Sequence, residues 1–415
     1  MNINETFTIL IGFIWIYYFN QFKKQAILMY GENGIRPLLT TMKNINKVTN
    51  YWTKFLTFPS IFWNISPSDE NIILIINIGI TSSILSIFTL HKSLFLFINY
   101  IIHISFVSIG SEFLFYQWDS FLLEITFISS IYHLFNYDYI VKLFIYYIYL
   151  KLNILNFIKK VTFDNQWITG KALKKHLYTQ PLPRKDNLYL YHYSILTTIL
   201  NYYIILHELL IPICIFYFPT TGTISLFIYT ILGILIQNVA IYYITYLNIG
   251  LLLTNYNLFY NIYSSNIDIL YPCVLILLLY LYISNPNLCS YYHINKNYDM
   301  FNVVNNKKKK FVIYIINNLD KVKIQFNEMT LFNHNFILWH LFNSTILSSG
   351  INTWITNFVK IILENDNDII LNKNIKGNNI VVLLKEIIPN TFDNIMNGIN
   401  WKVINTKEYL KIKLD

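Results

Sequence analysis

The chain has 415 residues, of which 54% are hydrophobic and only 13% charged. Soluble domains carry about twice that charged fraction at a similar apolar content, which points away from a water-soluble globule and toward a bilayer. The formal net charge of +9 does not indicate nucleic acid, because the lysines fall between and after apolar stretches instead of on one folded face.

Aromatic residues make up 18% of the chain, with 34 Tyr and 31 Phe, and such an excess of Tyr suits a chain that meets the membrane interface repeatedly. Ala occurs only at Ala26, Ala172 and Ala240, and Arg only at Arg36 and Arg184. A mutational bias toward AT-rich codons accounts for this. It makes Asn patches and Lys runs less informative, and Gly, Pro, Arg and Trp more so. The three cysteines, Cys214, Cys273 and Cys289, form neither a disulfide framework nor a CxxC motif, and the first two lie in apolar runs as packing residues.

Crossing a hydrocarbon core takes about 20 apolar residues. In chain order, the sequence predicts spans near 6–22, 71–90, 94–116, 120–137, 139–158, 195–218, 224–247 and 267–284. The first is followed by Lys23 and Lys24 and has no small-residue cleavage site, so it reads as a signal anchor. The stretch 249–263 is apolar but short and fits a re-entrant segment. Ordered polar loops are expected at 23–70 and 159–193. The predicted fold is thus an all-α polytopic membrane domain over 1–290 with a smaller α+β soluble domain over 291–415. That tail opens with the Lys run 307–310. Alternating residues flank Asn317-Asn318-Leu319-Asp320 and predict a β-hairpin. Helical periodicity follows at 334–347, 351–364 and 378–388.

Four predicted spans separate the two polar loops, so they share a side. Their basic character makes that side cytosolic by the positive-inside rule. The sequons at Asn4, Asn64 and Asn343 argue for a luminal face if used.

Several stretches stand out against the composition. Gly31-Glu32-Asn33-Gly34-Ile35-Arg36-Pro37 predicts a tight turn after the first span, with glycines free to take positive φ and Pro37 fixing the exit. In Phe58-Pro59-Ser60, Trp63 and Pro67-Ser68-Asp69, Trp63 suits the interface and Ser68 or Asp69 a helix cap. Tyr116-Gln117-Trp118-Asp119-Ser120, continuing to Glu124, places two carboxylates in or near apolar spans. Such groups are costly there and are functional suspects, although Asp119 also fits a helix cap with Trp118 at the interface. Glu124 fits a structural or a functional role equally. Trp167, His176 and Tyr178-Thr179-Gln180-Pro181-Leu182-Pro183-Arg184 read as an extended loop laid along a surface, with a metal reading of His176 and His192 only weakly supported. His207-Glu208, inside the sixth span, fits an interhelical pair better than a proton relay.

Taken in order, these runs resemble the lipase maturation factor family. QWDSFLLE and TQPLP are the most specific, and Leu251 to Phe259, the segment around Trp339, the stretch from Trp354 to Leu371, and Trp401 with Glu408-Tyr409-Leu410 extend the resemblance into the tail. The residues that carry it are Gly31, Gly34, Pro59, Trp118, Asp119, Glu124, Trp167, Gln180, Pro181, Pro183, Asn255, Tyr256, Trp339 and Trp401. The tail motif lacks the family's prolines, and Thr254-Asn255-Tyr256 replaces Gly-Asn-Tyr. The resemblance implies a multi-pass protein of the endoplasmic reticulum membrane, with loops and tail in the lumen. It would assist folding, assembly and export of secretory clients such as lipases, and would not be an enzyme. Neither cofactor nor metal is implied. A docking face built from Tyr178 to Arg184, the hairpin and Trp339 would handle apolar client chains. The reading from another class is a transporter or channel with a pathway through Glu112, Glu124, His207 and Glu208.

Overall fold

The computed structural model describes residues 3–110, 113–114, 116–135, 138–163, 165–179, 185–237, 240–254, 308–317, 320–323, 336–337 and 379–413. Long helices dominate: α1 (Ile3–Tyr30), α4 (Asp69–Phe88), α5 (Lys92–Gly110), α6 (Gln117–Phe135), α7 (Asp138–Phe163), α11 (Ser194–Tyr217), α12 (Pro219–Gln237) and α13 (Ala240–Thr254). Between them, α2 (Leu38–Val48) and α3 (Tyr51–Thr57) occupy the first polar loop, and α8 (Asn165–Ile168), α9 (Ala172–Thr179) and α10 (Lys185–Leu190) the second. The ordered loops predicted from sequence are therefore helical.

Among the described residues four helical stretches, Asp69–Phe88, Lys92–Gly110, Ser194–Ile215 and Pro219–Ile236, are long and apolar enough to cross a membrane. They coincide with four of the predicted spans. Their outward residues stay apolar: Leu74 and Ile78 on α4, Leu206 and Ile213 on α11, Ile228 and Ile231 on α12. An exposed apolar surface of this extent marks a face meant for lipid. At 28, 19 and 26 residues, α1, α6 and α7 pack beside these helices and fill the predicted spans 6–22, 120–137 and 139–158.

Two predicted boundaries move. The span 94–116 stops at Gly110. The span 224–247 divides into α12 and α13, and α13 takes in the start of the stretch read as re-entrant. Gln237-Asn238 is the strongly polar pair within that run, and α12 and α13 on either side of it pack against each other, where an unbroken helix would have had a single face to bury. The predicted span 267–284 lies outside the described residues.

Helix α1 lies against α4 and α5, α5 against α6, and α7 between α6 and α11. Helix α13 closes the bundle on α1, α6, α7 and α12, and Asn248 Nδ2 donates to the Phe7 carbonyl at 3.1 Å. Helix starts are capped as the sequence suggests. Ser68 Oγ accepts from Asn71 N at 3.3 Å, with Asp69 and Glu70 in the first turn where the helix dipole favours them.

The described strands of the tail form one antiparallel sheet in the order β2-β1-β3-β4, with β1 Lys308–Asn317, β2 Asp320–Lys323, β3 Asn379–Pro389 and β4 Trp401–Lys413. The predicted hairpin is present, with Asn317 opposite Asp320. The helix predicted at 378–388 is instead the central strand β3. Its Ile380-Val381-Val382 are stiff at χ1 and favour extended backbone, and its N–H and C=O groups are taken up by β1 on one side and β4 on the other. An apolar run of that length fits either period, and pairing decides it. A short helix α14 (Phe392–Met396) joins β3 to β4. The predicted helices 334–347, apart from Phe336-Ile337, and 351–364 lie outside the described residues.

Candidate functional site

The motif segments after α1 and before α4 meet at one end of the bundle. The turn is built as expected: Ile35 N donates to Leu28 O and Arg36 N to Met29 O, both at 2.8 Å. Its glycines are not needed for positive φ, however, since that conformation is confined to Gly170 and Gly398 among the described glycines. They are needed for room. A Cβ on Gly31 would come within 2.5 Å of Asp69 Oδ1 and 2.6 Å of the Ile27 carbonyl, and one on Gly34 within 2.8 Å of that same carbonyl. Close approach lets Glu32 N donate to Asp69 Oδ1 at 2.8 Å, which ties the turn to the start of α4. The Pro59 segment is tied to α5: Ser108 Oγ donates to Pro59 O at 2.6 Å and Ile61 N to Ser105 Oγ at 3.1 Å.

Asp119 sits in the bundle interior. It is not the N-cap predicted from sequence: α6 starts at Gln117, Asp119 sits in its first turn, and its Oδ2 accepts from the backbone N of the N-cap residue, Tyr116, at 3.3 Å. Its Oδ1 accepts from Tyr18 Oη at 2.6 Å, and His103 Nε2 lies 4.0 Å away. His103 falls seven residues, or about 10 Å, short of the end of α5, so α6 starts at that depth inside the bundle. Trp118 is therefore not at the interface. It is buried and stacked on Tyr116 with ring centroids 4.5 Å apart. From the tail, Phe336 reaches the same level, edge-on to Tyr18 at 5.5 Å and Phe22 at 5.8 Å. That contact gave no signal in sequence.

Both remaining carboxylates are paired with lysines of α7. Glu124 Oε2 accepts from Lys151 Nζ at 2.8 Å, and Glu208 accepts from both Lys160 Nζ and Tyr229 Oη. Nine residues separate the lysines, about two and a half turns, so they leave opposite faces of α7. One reaches α6 and the other α11. His207 is stacked on Tyr229, and its ring nitrogens lie 2.7 Å from Ser225 Oγ and 3.1 Å from Tyr246 Oη. The interhelical reading of His207-Glu208 thus describes the arrangement. Beneath the second loop, Lys160, Trp167, His176, Glu208 and Tyr229 line a small cavity. It has room for a few waters, and Glu208 Oε2 has no hydrogen-bond partner among the described residues. Neither Lys151 nor Lys160 stands out in so lysine-rich a sequence. A Lys inside an apolar helix was the available signal.

The second loop folds onto α11 and onto the tail. Trp167 is buried, with Lys160 Nζ 5.0 Å from its ring centre, and its carbonyl accepts from Asn201 Nδ2 at 2.8 Å. Tyr178, expected on an exposed surface, is buried too. It forms a small core with Leu188 of α10 and Ile395 of α14, with Trp401 half-buried against it. His192 Nε2 donates to Asn390 O at 3.0 Å, and Phe392 meets Tyr189, His192 and Tyr193. The Glu112, Gln180, Pro181, Pro183, Asn255, Tyr256 and Trp339 positions lie outside the described residues.

Burial, with the Lys160 ammonium nearby, lowers the His176 imidazole from 6.5 to about 4. The folded chain keeps this ring neutral, whereas the unfolded chain protonates it near 6.5. The associated stability is complete above that pH and is lost as pH falls toward 4, by about 3 kcal/mol. Thermal unfolding in detergent should show this acid loss, and His176→Asn should make the curve shallower over that window. Equal slopes would show that His176 does not contribute.

A family model described as the lipase maturation factor transmembrane domain matches residues 3–261. The chain belongs to the lipase maturation factor family. No curated protein and no solved structure matches it. In this lipase maturation factor family member the matched region runs from α1 past the end of α13 and contains both Lys–Glu pairs and the Asp119 cluster. The sheet and α14 lie beyond it.

Proposed function

We propose that this protein is a maturation factor of the endoplasmic reticulum membrane, assisting folding, assembly and export of secretory clients, lipases among them, without bond chemistry of its own. Family membership supports the client class. The observation that carries the rest is the core shared by Tyr178, Leu188 and Ile395, by which the second loop and the tail become one surface. In this reading residues 1–290 anchor the protein and 291–415 complete its working face toward the lumen. The motif residues Gly31, Gly34, Pro59, Trp118, Asp119, Glu124 and Trp167 act as fixings that hold the loops in place. Client contact falls to exposed apolar residues of the tail such as Met396, Ile399, Val403 and Ile404, the kind of patch that receives partly folded chains.

Tagging the C-terminus and treating sealed microsomes with protease tests the orientation, and a protected tag is expected. Cells lacking the protein, re-supplied with it, should regain secretion of an active lipase. A digested tag or unchanged secretion would end the proposal. The transport reading predicts ion or solute flux in proteoliposomes instead, and flux would replace it.

A further inference from the structure

Helix α3 is unlike the other described helices of the loops. None of its residues is buried, and it presents Tyr51 at 62% and Trp52 at 74% exposure. A short helix of such composition standing in water would leave two large aromatic side chains without cover. Yet the helix is held in place. Asn50 Oδ1 caps it by accepting from Thr53 N at 2.8 Å. Phe55 packs on Trp63 with centroids 6.4 Å apart, and Trp63 Nε1 donates to Phe58 O at 2.7 Å. The aromatic row is thus set rigidly at the end of the bundle, between the close of α1 and the start of α4.

Three features name what covers it. The first is charge: from Leu38 to Phe58 the chain carries Lys43, Lys47 and Lys54 and no acidic residue. The second is the side-chain arrangement. Lys54 Nζ lies 5.2, 5.3 and 5.0 Å from the ring centres of Tyr51, Phe55 and Trp63, a cation seated among amphipathic rings. Tyr, Trp and Lys in this combination favour the headgroup level of a bilayer, with rings toward the acyl chains and ammonium toward phosphate. The third is continuity. Through Phe55 and Trp63 the helix joins the 59–61 segment held on α5, and the chain then runs directly into α4, whose outward residues Leu74 and Ile78 are exposed and apolar. Helix α2, by contrast, buries Leu38, Met42 and Ile45 and packs on α5, which leaves Lys43 and Lys47 outward.

We infer that α3 is an interfacial anchor, lying in the headgroup layer with Tyr51 and Trp52 inserted and Lys43, Lys47 and Lys54 facing anionic phospholipid. The anchor fixes the loop between α1 and α4 at a set height above the hydrocarbon.

The test uses the full chain in phosphatidylcholine nanodiscs, with and without phosphatidylserine. The fluorescence present in wild type but absent in Trp52→Phe reports the native ring. It should be quenched severalfold by lipids brominated high on the acyl chain and little by aqueous iodide. A nitroxide at Tyr51→Cys, in a background with the native cysteines replaced by Ser, should collide with oxygen more than with a water-soluble nickel complex. A label at Lys47→Cys should show the reverse. Quenching by iodide alone, or protection from both quenchers, overturns the anchor: the first means a ring in water, the second a ring under protein. Replacing all three lysines with Gln should weaken lipid quenching only when phosphatidylserine is present. An equal effect in neutral discs would remove the charge part of the inference.

Discussion

Replacing Lys160 with Met should cost about 3–5 kcal/mol of stability, the usual consequence of leaving a buried carboxylate without its counter-ion. Glu208 is buried inside α11, where it accepts hydrogen bonds from Lys160 and from the Tyr229 hydroxyl. The cavity beside it holds too few waters to solvate a full charge as bulk water would. Most variant protein should therefore fail to reach a folded, detergent-stable state. The informative variant is the double one. Lys160→Met with Glu208→Leu removes both desolvation costs at similar volume, and such exchanges are often neutral or stabilising. Thermal unfolding should return close to the wild-type midpoint. If the double variant folds and supports secretion, the pair is a fixing. If it folds normally and loses secretion, the charges take part in function, and the reading of these groups as structural is wrong.

The second large effect is on secretion. Changing Ile395 to Asp should reduce client secretion to near the level of cells lacking the protein, while insertion in the membrane stays intact. Ile395 is fully buried between Tyr178 and Leu188, and it belongs to a five-residue helix with no other buried residue. A carboxylate there must stay hydrated, so α14 lifts from the second loop and takes Phe392 from its contacts with Tyr189, His192 and Tyr193. Limited proteolysis should then cut the chain near 390–400, and helix content should be unchanged. Ile395→Val, which keeps the contact, should secrete normally. Normal secretion by Ile395→Asp, with proteolysis confirming detachment, would show that the shared surface is not the working one.

Much of the membrane part is readable in the sequence because composition and span length are strong signals. The carboxylates were also visible, since Asp119, Glu124 and Glu208 interrupt apolar runs. Their partners were not. Tyr18, Lys151 and Lys160 lie 101, 27 and 48 residues away, and nothing local specifies such pairings. Trp118 is deeper than its sequence position suggests for a related reason. Tryptophan next to a span boundary suits the interface on average, but α6 begins about 10 Å inside the bundle. Strand β3 misled because the short apolar run 380–384 has no fixed period until its neighbours pair with it.

The opposed lysines of α7 set a rule on spacing. Any inserted or deleted residue between 151 and 160 would swing one ammonium by about 100° and aim it at acyl chains or an apolar neighbour. Homologous sequences should therefore tolerate changes of residue type along that stretch far more readily than changes in its length, and a chain that lost both acidic partners would be released from the constraint.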